Sequence, residues 1–514
     1  MIFTGGNDNE IINMSKTNCF LFIGLISLIV GLSLALLGTM SDITAQWGVQ
    51  RSNLAALNVA VAVSIILITL TIGILKLKWG VFILFGTYPI LNSVSGRSYL
   101  IIDPFVINPF SAGLWLLTLL SARRWLKLTI YKFDILWFCA IISASISSIY
   151  VTHDANNTVR DIIFQLVEPF IAYILLRSAI VKDISQKSAV YWFGQIAITM
   201  LLIHFGLLVV DLLRGGGLIK LFTARSTYGR LWSGGLNEPS QAAMLLSTLL
   251  FPVIIITMKS SLFYGRWIPL LMITIIIAST TRRTIILVGI SFLIFIYFIK
   301  KNNLSEIIWP QLRIFCIVAI ILLIVTIPNY IGRFTGSDIQ RTYKSSDHTI
   351  LKGYELEHNA LVYLRRLIVS IDIIRDHPWF GIGLGDRSIY WQYMLKRGEN
   401  FHEAGIGNVI ENISGILLMG IPVFLIFLAR SLLILRLLFS RFKDVDADER
   451  LLAIGLAIPM LMAIIFWNWV PHLIGVSFYA IQGYFVNRNT HLIWGSFILA
   501  WTVSYLETNH INKH

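Results

Sequence analysis

The sequence predicts an all-α polytopic membrane protein of about 14 transmembrane helices (12–15), with one large external loop that is itself partly helical. Three observations lead there. Hydrophobic residues make up 56% of the 514 and charged residues only 13%, too little charge to cover a water-facing surface of that size. Apolar runs of the roughly 20 residues needed to cross a hydrocarbon core recur along the chain. Between two late runs lies a polar interval, 328–407, that holds His348, His358, His377 and His402, four of the ten histidines.

The expected spans lie near 19–40, 54–77, 79–95, 102–121, 133–151, 162–178, 189–212, 238–258, 266–281, 283–299 and 309–327. After the polar interval they resume near 408–437, 451–468, 471–487 and 490–506. The organisation that follows is a cytoplasmic N-terminal tail (1–18), the first set of about 11 helices (19–327), the large loop (328–407) and the C-terminal helices (408–514). Orientation comes from lysine and arginine in short loops, which stay on the cytoplasmic side. Lys76/Lys78, Arg123/Arg124, Arg177, Lys259/Arg266, Lys300/Lys301 and Arg436/Arg441 mark alternate loops. The opposite set, which includes 152–161, 213–238 and 328–407, is therefore external.

Composition also excludes. The net charge of +14 is spread over short interhelical loops, a pattern of topology control and anionic lipid contact rather than nucleic-acid binding. Cys19, Cys139 and Cys316 lie far apart in or beside apolar runs, without metal-ligand spacing. No nucleotide-binding signature is present, and the cytoplasmic loops are too short for a nucleotide-sugar domain. No cofactor is expected.

Three constellations carry chemistry. The first is Arg225 and Arg230 with Gly234-Gly235-Leu236-Asn237-Glu238-Pro239-Ser240 at an external interface. Pro239 suits the first turn of a helix and Asn237 its cap, and a guanidinium aimed inward there suits a diphosphate. The second is Thr281-Arg282-Arg283-Thr284, two arginines between apolar runs with almost no loop. Charge at membrane depth is costly and marks function. The third is the large loop. Its Tyr363–Arg375 stretch, which includes Arg365 and Arg366, has helical spacing with 364, 367, 368, 371 and 374 on one apolar face. It leads into His377-Pro378-Trp379-Phe380-Gly381-Ile382-Gly383-Leu384-Gly385, where Gly381, Gly383 and Gly385 let the backbone pass close to a neighbour and His377-Pro378 ends the helix. His402, beside Glu403 and just before the returning helix, is placed to take a proton from a hydroxyl near neutral pH.

These stretches resemble the O-antigen polymerase and ligase superfamily, the Wzy-type polysaccharide polymerases and lipopolysaccharide ligases. The resemblance rests on Arg230 with Glu238-Pro239-Ser240, on Thr281-Arg282-Arg283-Thr284, and on Arg365/Arg366 leading to the glycine phrase. Asn408, Gly415 and Gly420-Ile421-Pro422 complete it. It implies a metal-independent inverting glycosyltransferase facing the periplasm from the bacterial inner membrane, with undecaprenyl-diphosphate-linked glycan as donor and acceptor. Membrane lipids and a chain-length regulator are the implied partners. Arg230, Arg282, Arg283, Arg365 and Arg366 would bind the diphosphate; His402 would be the base, with Glu238, Glu403 and His377 as alternatives. Many members of the family place a histidine directly before the asparagine matched here by Asn408, where this chain has Gly407. The expected activity is polymerisation of repeat units. A ligase moving glycan onto lipid A-core and a transporter of lipid-linked oligosaccharide are the alternatives. The loop is expected to cover a lipid-facing cavity as a lid.

Overall fold

The computed structural model describes residues 53–508 except for 96–99, 103–104, 108, 153–154, 182–185, 216–238, 260–266, 279–281, 385–387, 397–410, 441, 443–444, 466–489 and, apart from isolated helical positions between 313 and 324, 305–367. The expected first span and the N-terminal tail lie outside the described residues, as does the expected span near 471–487.

In lipid every backbone polar group must find a partner within the chain, so spanning segments fold as helices. That is what the apolar runs do. Helix α1 (Asn53–Leu75) ends at Lys76, which is extended, and α2 (Leu77–Gly86) folds back on it. Gly80 permits the close return: a Cβ there would lie 2.6 Å from Gly73 Cα and 2.8 Å from the Thr69 carbonyl. The single span expected near 79–95 is therefore two short helices, α2 and α3 (Tyr88–Ser95), divided at Thr87. The Thr87 hydroxyl donates to the Ile83 carbonyl at 2.7 Å.

A two-stranded antiparallel hairpin follows, β1 (Leu100–Ile102) with β2 (Phe105–Ile107), the one strand pair among the described residues. The span expected to begin at 102 starts instead at α4 (Pro109–Trp125), which places proline in the first turn. Then come α5 (Lys132–Val151), α6 (Ala155–Ile162), a π-helical turn (Ile163–Val167), α7 (Glu168–Ile180), α8 (Gln186–Gly215), α9 (Pro239–Lys259), α10 (Trp267–Ala278) and α11 (Arg282–Lys301). In the polar interval a helix occupies 368–376 (α12), and Ser388–Lys396 forms another (α13). The chain returns through α14 (Glu411–Ser440), α15 (Ala447–Ile465) and α16 (Thr490–Thr508).

Among the described residues four helices are long and apolar enough to cross a membrane: Lys132–Val151, Thr158–Ile180, Ser188–Val209 and Gly415–Ser440. The fold is helical and membrane-embedded. Among the described residues, α16 is enclosed along nearly its whole length. Trp494, Phe497 and Trp501 on α16 are fully buried and meet Phe85, Tyr88 and Phe193 in edge-to-face, tilted and stacked ring pairs 5.1–6.1 Å apart.

One end of α5 is tied by charge. Arg177, 3% exposed, donates to Asp134 Oδ2 (3.0 Å), Glu507 Oε1 (2.7 Å), the Thr129 carbonyl (2.7 Å) and Tyr173 Oη (3.1 Å). Tyr173 donates to the other Asp134 oxygen at 2.5 Å. This network joins α5, α7 and α16 at the end expected to face the cytoplasm. Sequence reading assigned Arg177 to an interhelical loop as a topology signal; it lies instead within α7, enclosed by the bundle. Further along α14 the Arg430 guanidinium, also fully buried, lies 4.4 Å from the Trp137 ring centroid.

Candidate functional site

The glycine phrase is a strap, and the surface it passes close to is a broken helix. Helix α14 is interrupted at Gly420, whose φ of 82° and ψ of 166° are not helical, and Pro422 follows. In an unbroken helix the N–H of residue 421 would serve the carbonyl of 417, and that of 422 the carbonyl of 418. Pro422 has no N–H to give, and the Ile421 N–H turns away to the Pro378 carbonyl at 2.8 Å. The two stranded carbonyls are taken over by the strap: Ile382 N–H donates to Leu417 O (2.8 Å) and Gly383 N–H to Leu418 O (2.9 Å). Three backbone hydrogen bonds thus stitch the loop into the helix where the helix lacks its own donors.

The glycines follow from this contact. Gly381 has φ 63°, and a Cβ on it would lie 2.5 Å from Leu417 O and 2.6 Å from the Leu418 carbonyl carbon. Gly383 has φ 80°, and a Cβ there would lie 3.3 Å from Ser148 O. A Cβ on Gly420 would fall into the Trp379 carbonyl group and 2.9 Å from Phe380 N. Three left-handed glycines therefore sit where strap, kink and α5 approach backbone to backbone.

The other side of the strap rests on α5 and α6. Ser147 Oγ donates to the Phe380 carbonyl at 2.5 Å. The Leu384 N–H donates to Ser148 Oγ at 3.0 Å, and Thr158 Oγ1 donates to the Leu384 carbonyl at 2.8 Å. Ile382 and Leu384 point into the core, 1% and 0% exposed, while Trp379 and Phe380 stay outside at 69% and 51%. Phe380 lies 5.5 Å from the exposed Tyr150 ring, an aromatic cluster suited to a membrane–water interface.

Helix α12 leads into the strap. Of the expected apolar face, Ile374 packs partly buried against the core and Ile371 is half exposed, while Val369, Ser370 and Ile373 are buried; positions 364 and 367 lie outside the described residues. His377 N–H closes the last turn of α12 on Ile373 O (2.7 Å), and its carbonyl accepts from Gly381 N–H (3.1 Å). Its ring stands edge-on to Tyr393 at 6.3 Å. The main-chain hydrogen-bonding groups of His377 and Pro378 are thus used up in the turn and the kink. Beside them Tyr393 Oη donates to Asp376 Oδ2 at 2.6 Å, and Arg375 Nε approaches the other oxygen at 3.4 Å. The Tyr393 hydrogen bond holds the Asp376 carboxyl below its ordinary range, with Arg375 assisting. Burial, then that same bond, pushes the Tyr393 phenol up to about 12.

Of the remaining expected site residues, Arg282 and Arg283 are the first two residues of α11, so they stand at a helix start. Helix α9 begins at Pro239, as the Glu238-Pro239 phrase suggested. His402, Glu238, Arg230, Arg365, Arg366 and Gly385 lie outside the described residues. The structure brings together His377, Pro378, Gly381 and Gly383 with Gly420 and Pro422. Sequence reasoning missed Ser147, Ser148 and Thr158: single hydroxyls at the ends of apolar runs carry no pattern that separates them from ordinary interface residues.

Residues 267–428 match the sequence profile of a family described as O-antigen ligase. The matched stretch runs from α10 through the loop and across the kink of α14. Comparison with curated proteins gives no match. The hydrogen-bonded unit of strap and broken helix lies inside that stretch, and the match supports a place in the O-antigen polymerase and ligase superfamily.

Proposed function

We propose that the protein polymerises polyprenyl-diphosphate-linked oligosaccharide repeat units into O-antigen, capsule or exopolysaccharide at the outer face of the bacterial cytoplasmic membrane. The observation that carries the reading is the family match over 267–428, which encloses the large loop, Arg282/Arg283 and the kink of α14. It supports a glycosyltransferase-like enzyme acting on lipid-linked glycans.

In this reading the hydroxyl oxygen of the acceptor sugar attacks the anomeric carbon of the donor from the face opposite the diphosphate. The bond from that carbon to the diphosphate oxygen breaks, and the polyprenyl diphosphate leaves with the electron pair. Arg230, Arg282, Arg283, Arg365 and Arg366 would neutralise the charge that develops on the leaving oxygens. His402, or Glu238 in its place, would take the hydroxyl proton. No metal enters the scheme.

The ligase reading has its own support, since the matching family is described as O-antigen ligase. Glu238-Pro239-Ser240, more like the polymerases, tips the balance the other way. Purified protein incubated with lipid-linked repeat unit decides between them. A ladder of lengthened lipid-linked glycan supports polymerisation. Transfer only when lipid A-core is added supports the ligase, and no product with either acceptor overturns both.

A further inference from the structure

We propose that the π-helical turn Ile163–Val167, with the carboxylates on either side of it, forms an intramembrane binding site for one monovalent cation of sodium's size.

A proline breaks the backbone there. Glu168 N–H donates to Ile163 O, five residues back, where an unbroken α-helix would send it to Phe164 O. In the five-back pattern Phe164 O would take its hydrogen from residue 169, but Pro169 has none to give. The Phe164 carbonyl therefore loses both helical donors. The next side chain, Gln165, is 1% exposed. Among the described residues neither its amide oxygen nor its amide nitrogen has a hydrogen-bond partner. Burial in that state is costly, and polar groups kept at membrane depth mark function.

Carboxylates complete the oxygen set. Asp161 lies four residues before Gln165 and Glu168 three after it, the spacings that make neighbours on a helix surface. Both are buried, at 5% and 1%. Trp115 Nε1 on α4 donates to Glu168 Oε1 at 3.2 Å and fixes that carboxylate from the facing helix. The span that carries them, Thr158–Ile180, is the most enclosed of the four candidate membrane spans. Carbonyl, amide and carboxylate oxygens suit a hard cation, and broken membrane helices present freed carbonyls to such ions. Within the turn Arg160 stands against Asp161 and Glu168, which leaves one negative charge for a single positive ion to balance. Among the described residues no three acidic, imidazole or thiol side chains come together, as a calcium site would ask. The Gln165 amide nitrogen, a donor, would face a water of the ion's own shell. The ion takes no part in the glycosyl transfer proposed above. It would stabilise the broken helix that Thr158 ties to the strap.

The test melts full-length purified protein, in detergent, in sodium, potassium and choline chloride at equal concentration. Sodium should raise the melting temperature over choline by about 2–5 °C at saturation, and potassium by less. Gln165→Leu and Glu168→Gln should each lose that rise. The second keeps an oxygen for Trp115 to donate to, so it carries the test if the first does not fold. Equilibrium dialysis against radiolabelled sodium should find about one ion per wild-type chain and none per chain of either variant. The same melting temperature in all three salts, the result that a buried water alone at Gln165 gives, overturns the proposal. So does a rise that potassium matches, or one that survives both substitutions.

Discussion

Gly420→Ala tests the stitched kink most directly. The wild-type backbone at φ 82°, ψ 166° lies in a region open essentially to glycine alone, and costs any other residue about 1–3 kcal/mol. Torsion is only part of the penalty. The new Cβ would enter the Trp379 carbonyl group and approach Phe380 N at 2.9 Å, and both are backbone atoms that no rotamer change can move aside. The strap must therefore lift, which breaks the bonds from Ile421 to Pro378, Ile382 to Leu417 and Gly383 to Leu418. Each is worth about 1 kcal/mol net, so the total is about 4–6 kcal/mol. Gly415 is the internal control on the same helix. A Cβ there meets Phe424 Cδ2 at 3.6 Å and Met419 Cε at 3.8 Å, ordinary contact, and alanine suits a helix better than glycine by about 1 kcal/mol. Thermal unfolding in detergent and limited proteolysis across 377–384 measure both variants. Gly420→Ala should unfold at a lower temperature and be cut in the strap; Gly415→Ala should match or exceed wild type. A Gly420→Ala protein with wild-type Tm and an uncut strap would refute the takeover of α14's carbonyls by the loop.

Other expectations follow from the site and the bundle. His402→Ala and Arg230→Ala should each abolish chain growth with membrane abundance unchanged, read from the glycan ladder of complemented cells. Arg230→Lys should fail as well, because an ammonium cannot reproduce the planar two-pronged hold of a guanidinium on a diphosphate. Asp134→Ala should destabilise by about 3–5 kcal/mol, since it leaves the Arg177 guanidinium short of a buried partner. Asp134→Leu combined with Arg177→Met should be milder than either single change in the same melting assay. Asp376 titrates below its ordinary value in the fold, so its contribution to stability is present above the unfolded pKa and is lost as pH falls through the folded one. Tyr393→Phe removes the largest cause of that depression. Acid exposure of the loop, followed by proteolysis, should therefore begin at higher pH in this variant.

The long helices were legible because the bilayer demands length and apolarity, and α5, α8, α9 and α14 begin and end within a few residues of the expected bounds. Where the chain bends sharply, that rule gave out. The run near 79–95 reads as one span by composition, yet the turn at Thr87 and the close Gly73–Gly80 approach make it two pieces. The glycines of the strap were legible as a close approach but not as an approach to α14. Their partners are backbone carbonyls freed by the break at Gly420 and by Pro422, and no side-chain pattern records a carbonyl. Arg177 was misplaced for a related reason: a basic residue near the end of an apolar run looks the same whether it meets water or a buried carboxylate. Asp134 and Glu507, far away in sequence, decide which.

The stitched kink also bears on how such enzymes can be recombined. A surface loop is ordinarily a module that can be exchanged between relatives while the scaffold stays put. Here the loop supplies amide hydrogens that the helix lacks, and the helix supplies carbonyls that the loop needs. A chimera that imports 377–384 without 417–422 inherits half of a shared hydrogen-bond ladder. Specificity grafts in this protein should therefore cut on either side of the pair and carry strap and kink across together.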